Sequence, residues 1–241
     1  MIRAALLLLA LLSLMPAAAA NGCRGVEHRG RSFTVCSADL SETRAAIRLR
    51  DGAGAAIGDF ATLEATTAAP IRFATNGGMY HADRDPVGLY VEDGKTLAPL
   101  VTSAGPGNFG MLPNGVLCLL EDRAAVIETR RFAADPHDCR HATQSGPMLV
   151  IDGALHPRFI PDSPYLKRRN GAGVSPDGRT LHLVVSDEPV SFHEMATLYR
   201  DVLGVRDALY LDGSVSRLHA PGIGRSDPGR AMGPIVVVTD R

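Results

Sequence analysis

Short apolar runs alternate with turn-forming residues along the chain, and this pattern predicts a strand-rich fold. Each run is four to six residues long and is bounded by glycine, asparagine, aspartate or proline. Such runs between tight turns are typical of β-strands. The predicted strands are Ser32–Val35, Arg44–Leu49, Val87–Val91, Val116–Leu119, Met148–Ile151, Leu181–Val185, Ala208–Leu211 and Ile235–Val238.

One segment has helical rather than strand periodicity. Ser191 and Glu194 have the spacing of a capping box, and an apolar stripe runs from Phe192 to Leu203. Gly204 is a natural end for this helix, and a shorter helix is predicted over Phe60–Leu63. With so few helices between strands, we expect a single α+β domain in which one main amphipathic helix packs on a mixed β-sheet.

The first 20 residues have the three-part pattern of a secretory signal peptide. Arg3 supplies positive charge, an apolar run extends from Ala4 to Met15, and small residues follow Pro16. The apolar run is too short to span a bilayer comfortably. We therefore expect residues 1–20 to be removed. A domain of residues 21–241, without a membrane span, then lies in the periplasm or outside the cell.

Four cysteines remain after that removal, and an even number in an exported protein indicates disulfides. They are Cys23, Cys36, Cys118 and Cys139. Three pairings are open, and we favour Cys23–Cys36 with Cys118–Cys139 because each closes a short local loop. The alternative of a zinc site has no C-x-x-C spacing to support it.

Composition narrows the class of function. The chain has 241 residues, of which 45% are hydrophobic, enough for one sizeable core. Its 25 basic and 26 acidic residues give no positive excess, which argues against a nucleic-acid partner. Tryptophan is absent, so a carbohydrate module built on a row of exposed tryptophan rings is also disfavoured.

Candidate chemistry lies in polar, glycine-containing segments, most of them at strand ends, where functional groups are usually placed. A nest of backbone N–H groups for an anion is one interpretation of Asn76, Gly77 and Gly78, and an ordinary tight turn is the other. Arg169 is able to fork onto a phosphate or carboxylate, unless Arg168 and Arg169 are only a solvated pair. The five segments are Thr75–His81, Gln144–Pro147, Arg168–Gly171, Ser186–Pro189 and Leu211–Ser216.

Carboxylates and a serine are the other candidates. Asp212 directly follows an apolar strand, as a base or nucleophile often does, although an Asp-Gly turn is the simpler explanation. His193 and Glu194 form a candidate acid/base pair, while Glu194 also has a task in the capping box. Ser145 as a hydrolase nucleophile is disfavoured, because its flanks do not match the G-x-S-x-G elbow.

Five motifs in chain order resemble the phosphodiester glycosidase family. They are N-G-G-M-Y, Q-S-G-P-M-L-V, R-N-G-A-G, S-D-E-P-V-S-F-H-E and Y-L-D-G-S-V-S. The resemblance extends from about Phe33 to Val238. The chain departs from the family at one point, since many members have D-G-G-x-S where Ser214 follows Gly213 directly.

The resemblance implies cleavage of the bond between sugar and phosphate in a sugar 1-phosphodiester. Arg169 and the amides of residues 76–78 would hold the phosphate, and Asp212 would stabilise or attack the anomeric carbon. Asp187 and Glu194 are further carboxylates, and His81 or His193 would move protons. Hydroxyl-binding candidates on the sugar side are Gln144, Ser145, Gly146, Asn170, Ser214 and Ser216.

Two questions stay open at the level of sequence. A divalent cation held by Asp212 and Asp187 would serve the phosphate equally well, and no other cofactor is implied. A protein of a different class, a non-catalytic periplasmic module that binds glycans or cell-wall polymers in the same cleft, would have the same residues. Sugar binding without turnover would identify it.

Overall fold

The computed structural model describes residues 22–241, so the predicted signal peptide lies outside the described residues. Three α-helices occur in this range: α1 (Phe60–Thr66), α2 (Thr129–Ala134) and α3 (Phe192–Thr197). None of the described helices is long and apolar enough to cross a membrane. The strands in chain order are β1 (Gly22–His28), β2 (Arg31–Asp39), β3 (Thr43–Arg48), β4 (Ile71–Asn76), β5 (Tyr90–Glu92), β6 (Lys95–Ala98), β7 (Gly115–Leu119), β8 (Ala124–Glu128), β9 (His141–Ser145), β10 (Met148–Ile151), β11 (Ala154–Leu155), β12 (Asn170–Val174), β13 (Thr180–Ser186), β14 (Asp207–Tyr210), β15 (Leu218–Ala220), β16 (Arg225–Ser226) and β17 (Ile235–Asp240).

These strands form three sheets. The first has the order β1-β2-β13-β12-β14-β10-β11, the second β16-β15-β4-β17-β3, and the third β6-β5-β9-β7-β8. The α+β class is confirmed, and all eight predicted strands overlap observed ones, although the strand predicted over Val87–Val91 begins only at Tyr90. The prediction of one mixed sheet is wrong, because strand pairs in the described range are antiparallel and divided among three sheets. Short connections between neighbouring strands favour antiparallel pairing.

A central apolar core joins the three sheets. Leu183 of β13, Phe73 of β4 and Leu117 of β7 belong to it, and all three are fully buried. Strand β13 is buried on both faces, since Val184 points the other way into the cluster beneath α3. A strand covered on both faces is apolar at successive positions, which explains why the core strands appear in the sequence as unbroken apolar runs.

The main helix begins as predicted and then changes its winding. Ser191 Oγ accepts from the backbone N–H of Glu194 at 3.1 Å, and Glu194 Oε2 accepts from the Ser191 N–H at 2.7 Å, which confirms the capping box. After Thr197 the chain continues as a π-helical turn over residues 198–202. This wider winding rotates later residues off the apolar face, so Val202 is exposed although the predicted stripe includes it.

The R-N-G-A-G segment is a strand, not the predicted loop. Gly171 and Gly173 of β12 face the buried Tyr199. A Cβ on Gly173 would lie 2.8 Å from the Tyr199 ring, and one on Gly171 would lie 3.1 Å from its hydroxyl. Glycine is therefore required here for close packing of the helical segment on the sheet.

Both disulfides have the favoured local pairing. Cys23–Cys36 connects β1 to β2, and Cys118–Cys139 connects β7 to the segment before β9, with sequence separations of 13 and 21 residues. We expect the double variant Cys118→Ser/Cys139→Ser to lose about 3 kcal/mol of unfolding free energy in denaturant titrations, because the unfolded chain gains freedom. Mass spectrometry of the native protein should detect no free thiol. Four alkylatable thiols would contradict this prediction.

Acid is expected to weaken the fold through a buried histidine. His182 lies in β13 with Nδ1 2.9 Å from Ser37 Oγ, and burial, helped by the charge of Arg24, lowers its pKa to about 4. In the unfolded chain this group has a pKa of about 6.5. Between these values only the unfolded chain takes up the proton, so stability falls as pH drops from 6.5 to 4, by about 3 kcal/mol.

The measurement is the unfolding free energy at pH 7 and pH 4.5 for the wild type and His182→Gln. The variant should lose less stability on acidification. It should keep part of the dependence, because burial also lowers the pKa values of His141 and His156. Equal losses in both proteins would show that His182 does not carry the effect.

Candidate functional site

A buried amide network holds the end of β14 in place. Asn76 closes β4 and donates its Nδ2 hydrogen to the carbonyl of Asp212 at 2.7 Å. Asn170 opens β12 and donates to the carbonyl of Asn76 at 2.8 Å. The Asp212 N–H donates to the carbonyl of Gly77 at 3.1 Å. These bonds tie the first sheet to the second and fix the backbone of Asp212 from both sides.

The carboxylate of Asp212 caps the short 3-10 turn of residues 213–215. Its Oδ1 accepts from the backbone N–H of Ser214 at 3.0 Å and from the Ser214 hydroxyl at 2.7 Å. The side chain is mostly buried, with 9% of the residue exposed. No hydrogen bond within residues 22–241 reaches Oδ2, so one oxygen is anchored and the other is available.

A cleft of about 720 Å³ opens beside this turn. Gly213 and Ser214 form part of its wall, and Asp212 directly precedes them in the chain but is not itself a wall residue. Its lining combines cations with aromatic rings, and it contains no Asp or Glu from the described part of the chain. The lining residues are Asn108, Met111, Arg158, Phe159, Ile160, Ser163, Tyr165, Lys167, Arg168, Arg169, Phe192, His193, Tyr210, Gly213 and Ser214.

Arg169 is a wall residue that is only 3% exposed. Its Nε donates to the carbonyl of Val190 at 2.8 Å and its Nη2 to the carbonyl of Tyr165 at 3.1 Å. The guanidinium lies 3.6 Å from the ring centre of Phe192, a cation–π contact. Burial lowers the pKa of Arg169, against the opposing effect of Tyr210. Two of its five N–H groups are thus engaged, which excludes a fork through Nε and leaves both hydrogens of Nη1 and one of Nη2 for a phosphate.

Tyr210 completes the wall between Arg169 and the Asp212 turn. Burial raises the pKa of its phenol, Arg169 opposes this shift and Asp212 adds to it. The phenol therefore stays protonated at neutral pH. Gly213 lies directly against the phenol oxygen, and a Cβ at that position would collide with it.

Two predicted carboxylates lie off the cleft. Glu194 has both oxygens engaged, Oε2 in the capping box and Oε1 with Arg31 Nε at 2.9 Å. Burial raises the pKa of Glu194, but the hydrogen bonds of Ser191 and Arg31 outweigh it and the net shift is downward. Asp187 accepts from Arg225 at 2.6 Å and from Thr34 Oγ1 at 3.0 Å. Their predicted place in a shared cleft is therefore not found, although His193 does line it.

Asp187, one of the two carboxylates considered for a divalent cation, forms an ion pair with Arg225 Nη1 at 2.6 Å. Within residues 22–241, no group of three or more His, Cys, Asp or Glu side chains is arranged to hold a metal ion.

The Gly77-Gly78 segment is packed rather than open to an anion. The Gly77 N–H already donates to the carbonyl of Pro234 at 2.6 Å. A Cβ on Gly78 would collide with β9 at Thr143 and Gln144. Neither glycine has the positive φ that an anion nest requires, so the nest prediction is wrong at this position.

Three candidates for sugar binding have structural surroundings instead. The Gln144 amide accepts from the N–H groups of Leu89 and Val101 and donates to the Val101 carbonyl and Thr129 Oγ1. Ser145 is fully buried, and its Oγ has no hydrogen-bond partner among the described residues, which disfavours the serine-hydrolase alternative. Gly146 precedes a cis peptide bond to Pro147 and packs against Asn114.

Of the remaining candidates, Ser214 lines the cleft, while Ser216 and Asn170 belong to the buried network. His81 is exposed and is not part of the cleft wall. Sequence reasoning missed several wall residues of the segment before Arg169. A stretch with three prolines that is rich in cations and rings is the available signal for them, and it contains Arg158, Phe159, Ile160, Tyr165 and Lys167.

The fold and the cleft define a strand-rich α+β domain with a cationic cleft beside a rigidly held carboxylate. Residues 69–238, more than half of the chain, match the sequence model of the phosphodiester glycosidase family, and the chain belongs to that family. A protein of Escherichia coli K12 called YigE, itself described as uncharacterized, is 34% identical over 152 residues. That match covers 63% of this chain and 59% of YigE.

Solved structures show the same fold at low identity. The catalytic domain of zebrafish N-acetylglucosamine-1-phosphodiester alpha-N-acetylglucosaminidase, auto-inhibited by its pro-peptide, has a TM-score of 0.62 and 15% identity over 91% of this chain and 82% of that one. A putative exported protein of Burkholderia pseudomallei has a TM-score of 0.60 and 14% identity, covering 87% of this chain and 74% of that one. A hypothetical protein from Synechocystis has a TM-score of 0.57 and 13% identity, covering 91% of this chain and 61% of that one.

Proposed function

We propose that the protein is an exported hydrolase that cleaves the bond between sugar and phosphate in a sugar 1-phosphodiester or a related cell-envelope glycan. The observation that carries this proposal is the cleft, which places four cationic side chains next to the turn that follows Asp212, with no acidic side chain of residues 22–241 in its wall. A wall of this charge attracts an anionic substrate. Family membership supports a hydrolase of this type.

Each part of the cleft has a task in this reaction. The departing group is a phosphate ester, a weak base, so its leaving needs charge neutralisation more than a strong general acid. Arg169 Nη1 and the neighbouring cations supply that neutralisation. The anomeric carbon becomes positive in the transition state, and Asp212 Oδ2 stabilises or attacks it while Oδ1 stays anchored. Tyr210, through its phenol hydroxyl, and His193 are the wall groups that would hydrogen-bond to oxygens of the substrate.

An oxidising compartment suits this protein. Both disulfides and the N-terminal sequence pattern support export to the periplasm or beyond, with cleavage after residue 20. The substrate then belongs to the envelope rather than to the cytoplasm.

The test is release of free sugar from methyl 1-phosphodiesters by the protein purified from the periplasm. The first probe carries α-linked N-acetylglucosamine, the sugar named for the zebrafish relative, and glucose, galactose and mannose probes complete the panel. Turnover of at least one probe supports the proposal. Binding seen by calorimetry without release from any probe would instead identify a glycan-binding module.

Gly213 provides a further test at the turn. In Gly213→Ala the new Cβ collides with the Tyr210 hydroxyl, so the turn and the Asp212 carboxylate have to move. We expect the rate of sugar release to fall by about tenfold or more, the scale on which misplacement of a reacting group is felt. Gly222→Ala is the matched control, because a Cβ there meets nothing within 4 Å. Similar rates for the two variants would argue against this role of the turn.

A further inference from the structure

The segment of residues 157–168, here called the lip, forms one side of the cleft and presents large exposed side chains. Ile160 is 66% exposed and Tyr165 is 79% exposed, and both line the cleft. The lip has a fixed base, because Phe159 stacks between His156 at 4.8 Å and Phe192 at 5.0 Å between ring centroids. An exposed ring such as that of Tyr165 at the mouth of a cleft is suited to contacts with a ligand.

The cleft holds more positive charge than one phosphodiester requires. Arg158, Lys167 and Arg168 lie on the lip, and Arg169 adjoins it. Ion pairs among the described residues involve none of these four cations. A phosphodiester carries a single negative charge, so at least two of the four cations remain available for another anionic group.

We propose that the lip binds the unit that follows the scissile bond, namely a second sugar ring on Tyr165 and a second phosphate on Arg158 and Lys167. The preferred substrate is therefore an oligomeric, polyanionic sugar-phosphate chain rather than a monomeric diester. This inference rests on the proposed function for the assignment of the first phosphate to the cleft. Beyond the proposed function, it specifies that the substrate is longer and more negatively charged than a single phosphodiester.

An anionic lipid surface is the competing occupant for exposed rings flanked by cations. The position of Arg169 favours a chain that enters the cleft, because this cation is almost completely buried in the wall. A flat membrane surface would contact only the lip and would not reach Arg169.

The experiment measures dissociation constants by calorimetry for two ligands that cannot be hydrolysed. In both, a methylene group replaces the anomeric oxygen of α-N-acetylglucosamine 1-phosphate. The short ligand is the methyl ester. The long ligand is the ester of a second N-acetylglucosamine that carries its own methyl phosphodiester. Since neither ligand is cleaved, the ratio of the two constants is independent of whether the protein is an enzyme, and turnover of the methyl phosphodiester panel tests that point separately.

We expect the long ligand to bind at least about tenfold more tightly, because its second phosphate accepts charged hydrogen bonds from the lip. This advantage in affinity should shrink as the salt concentration is raised. In Arg158→Gln/Tyr165→Ala the ratio should approach one. The matched control is Leu97→Ala, which removes a side chain 62% exposed outside the cleft and should keep the wild-type ratio.

Equal binding of the two ligands, or an advantage that persists in the double variant, would overturn the proposal. Co-sedimentation with phosphatidylglycerol vesicles that the double variant loses, together with equal binding of the two ligands, would assign the lip to a lipid surface instead. Weak binding of both ligands with a ratio near one would also count against binding of a second sugar-phosphate unit by the lip.

Discussion

Asp212→Asn is expected to give a folded protein that binds its ligand but releases sugar at least about 10³-fold more slowly, the scale of losing one essential catalytic group. Asparagine keeps the Oδ1 atom that accepts from Ser214, so the turn survives. It removes the negative charge that the second oxygen offers to the anomeric carbon. The backbone of the residue is held by Asn76 and Gly77, which do not depend on the carboxylate.

The measurement combines the rate of sugar release with a thermal melt and a ligand titration. Asp187→Asn and Glu194→Gln are matched controls, because both are carboxylates held by an arginine away from the cleft wall. Each should change the rate by less than about tenfold, and glutamine also suits the capping box. Full activity in folded Asp212→Asn would exclude Asp212 as the key carboxylate. A large loss in Glu194→Gln with an unchanged melt would transfer that role to Glu194.

The core strands could be predicted because burial on both faces leaves an unbroken apolar run in the sequence. Strands β9 and β12 could not, since they are rich in polar residues and glycine. Their strand character depends on partners distant in the chain. Tyr199 packs on Gly171 and Gly173, and the side chain of Gln144 bridges to Leu89 and Val101.

The candidate site, like the strands, could be predicted only in part from the sequence. Asp212 stands out in the sequence, because it ends an apolar strand at a turn. Asn76 and Asn170 resemble ligand-binding residues equally well, yet their amides are used in a buried network whose members are 94 and 136 residues apart. A polar side chain that holds the backbone and one that holds a substrate have the same appearance in one sequence. The cations of the lip carry no periodic signal, and only the fold brings them to one wall.

Arg169→Lys is expected to lower both stability and rate, although it keeps the charge. Lysine cannot donate to the carbonyls of Val190 and Tyr165 from one planar group while stacking on Phe192. Hydrogen bonds from a charged group contribute about 1.5–3 kcal/mol each. We expect the unfolding free energy to fall by about 2 kcal/mol and sugar release to fall by about tenfold or more, because the wall beside Asp212 loses its fixed position.

Arg168→Lys is the matched control for this change, since it replaces the adjacent arginine and also keeps the charge. Arg168 is exposed and makes a single 3.3 Å bond from Nε to the carbonyl of Ser186. Its replacement should therefore leave the melting temperature close to that of the wild type, and it should lower the rate much less than Arg169→Lys does, because lysine keeps the positive charge in the cleft wall. A normal rate in Arg169→Lys would show that positive charge alone suffices at this position. Equal losses in the two variants would mean that the phosphate is held by the pair, and not by the buried guanidinium.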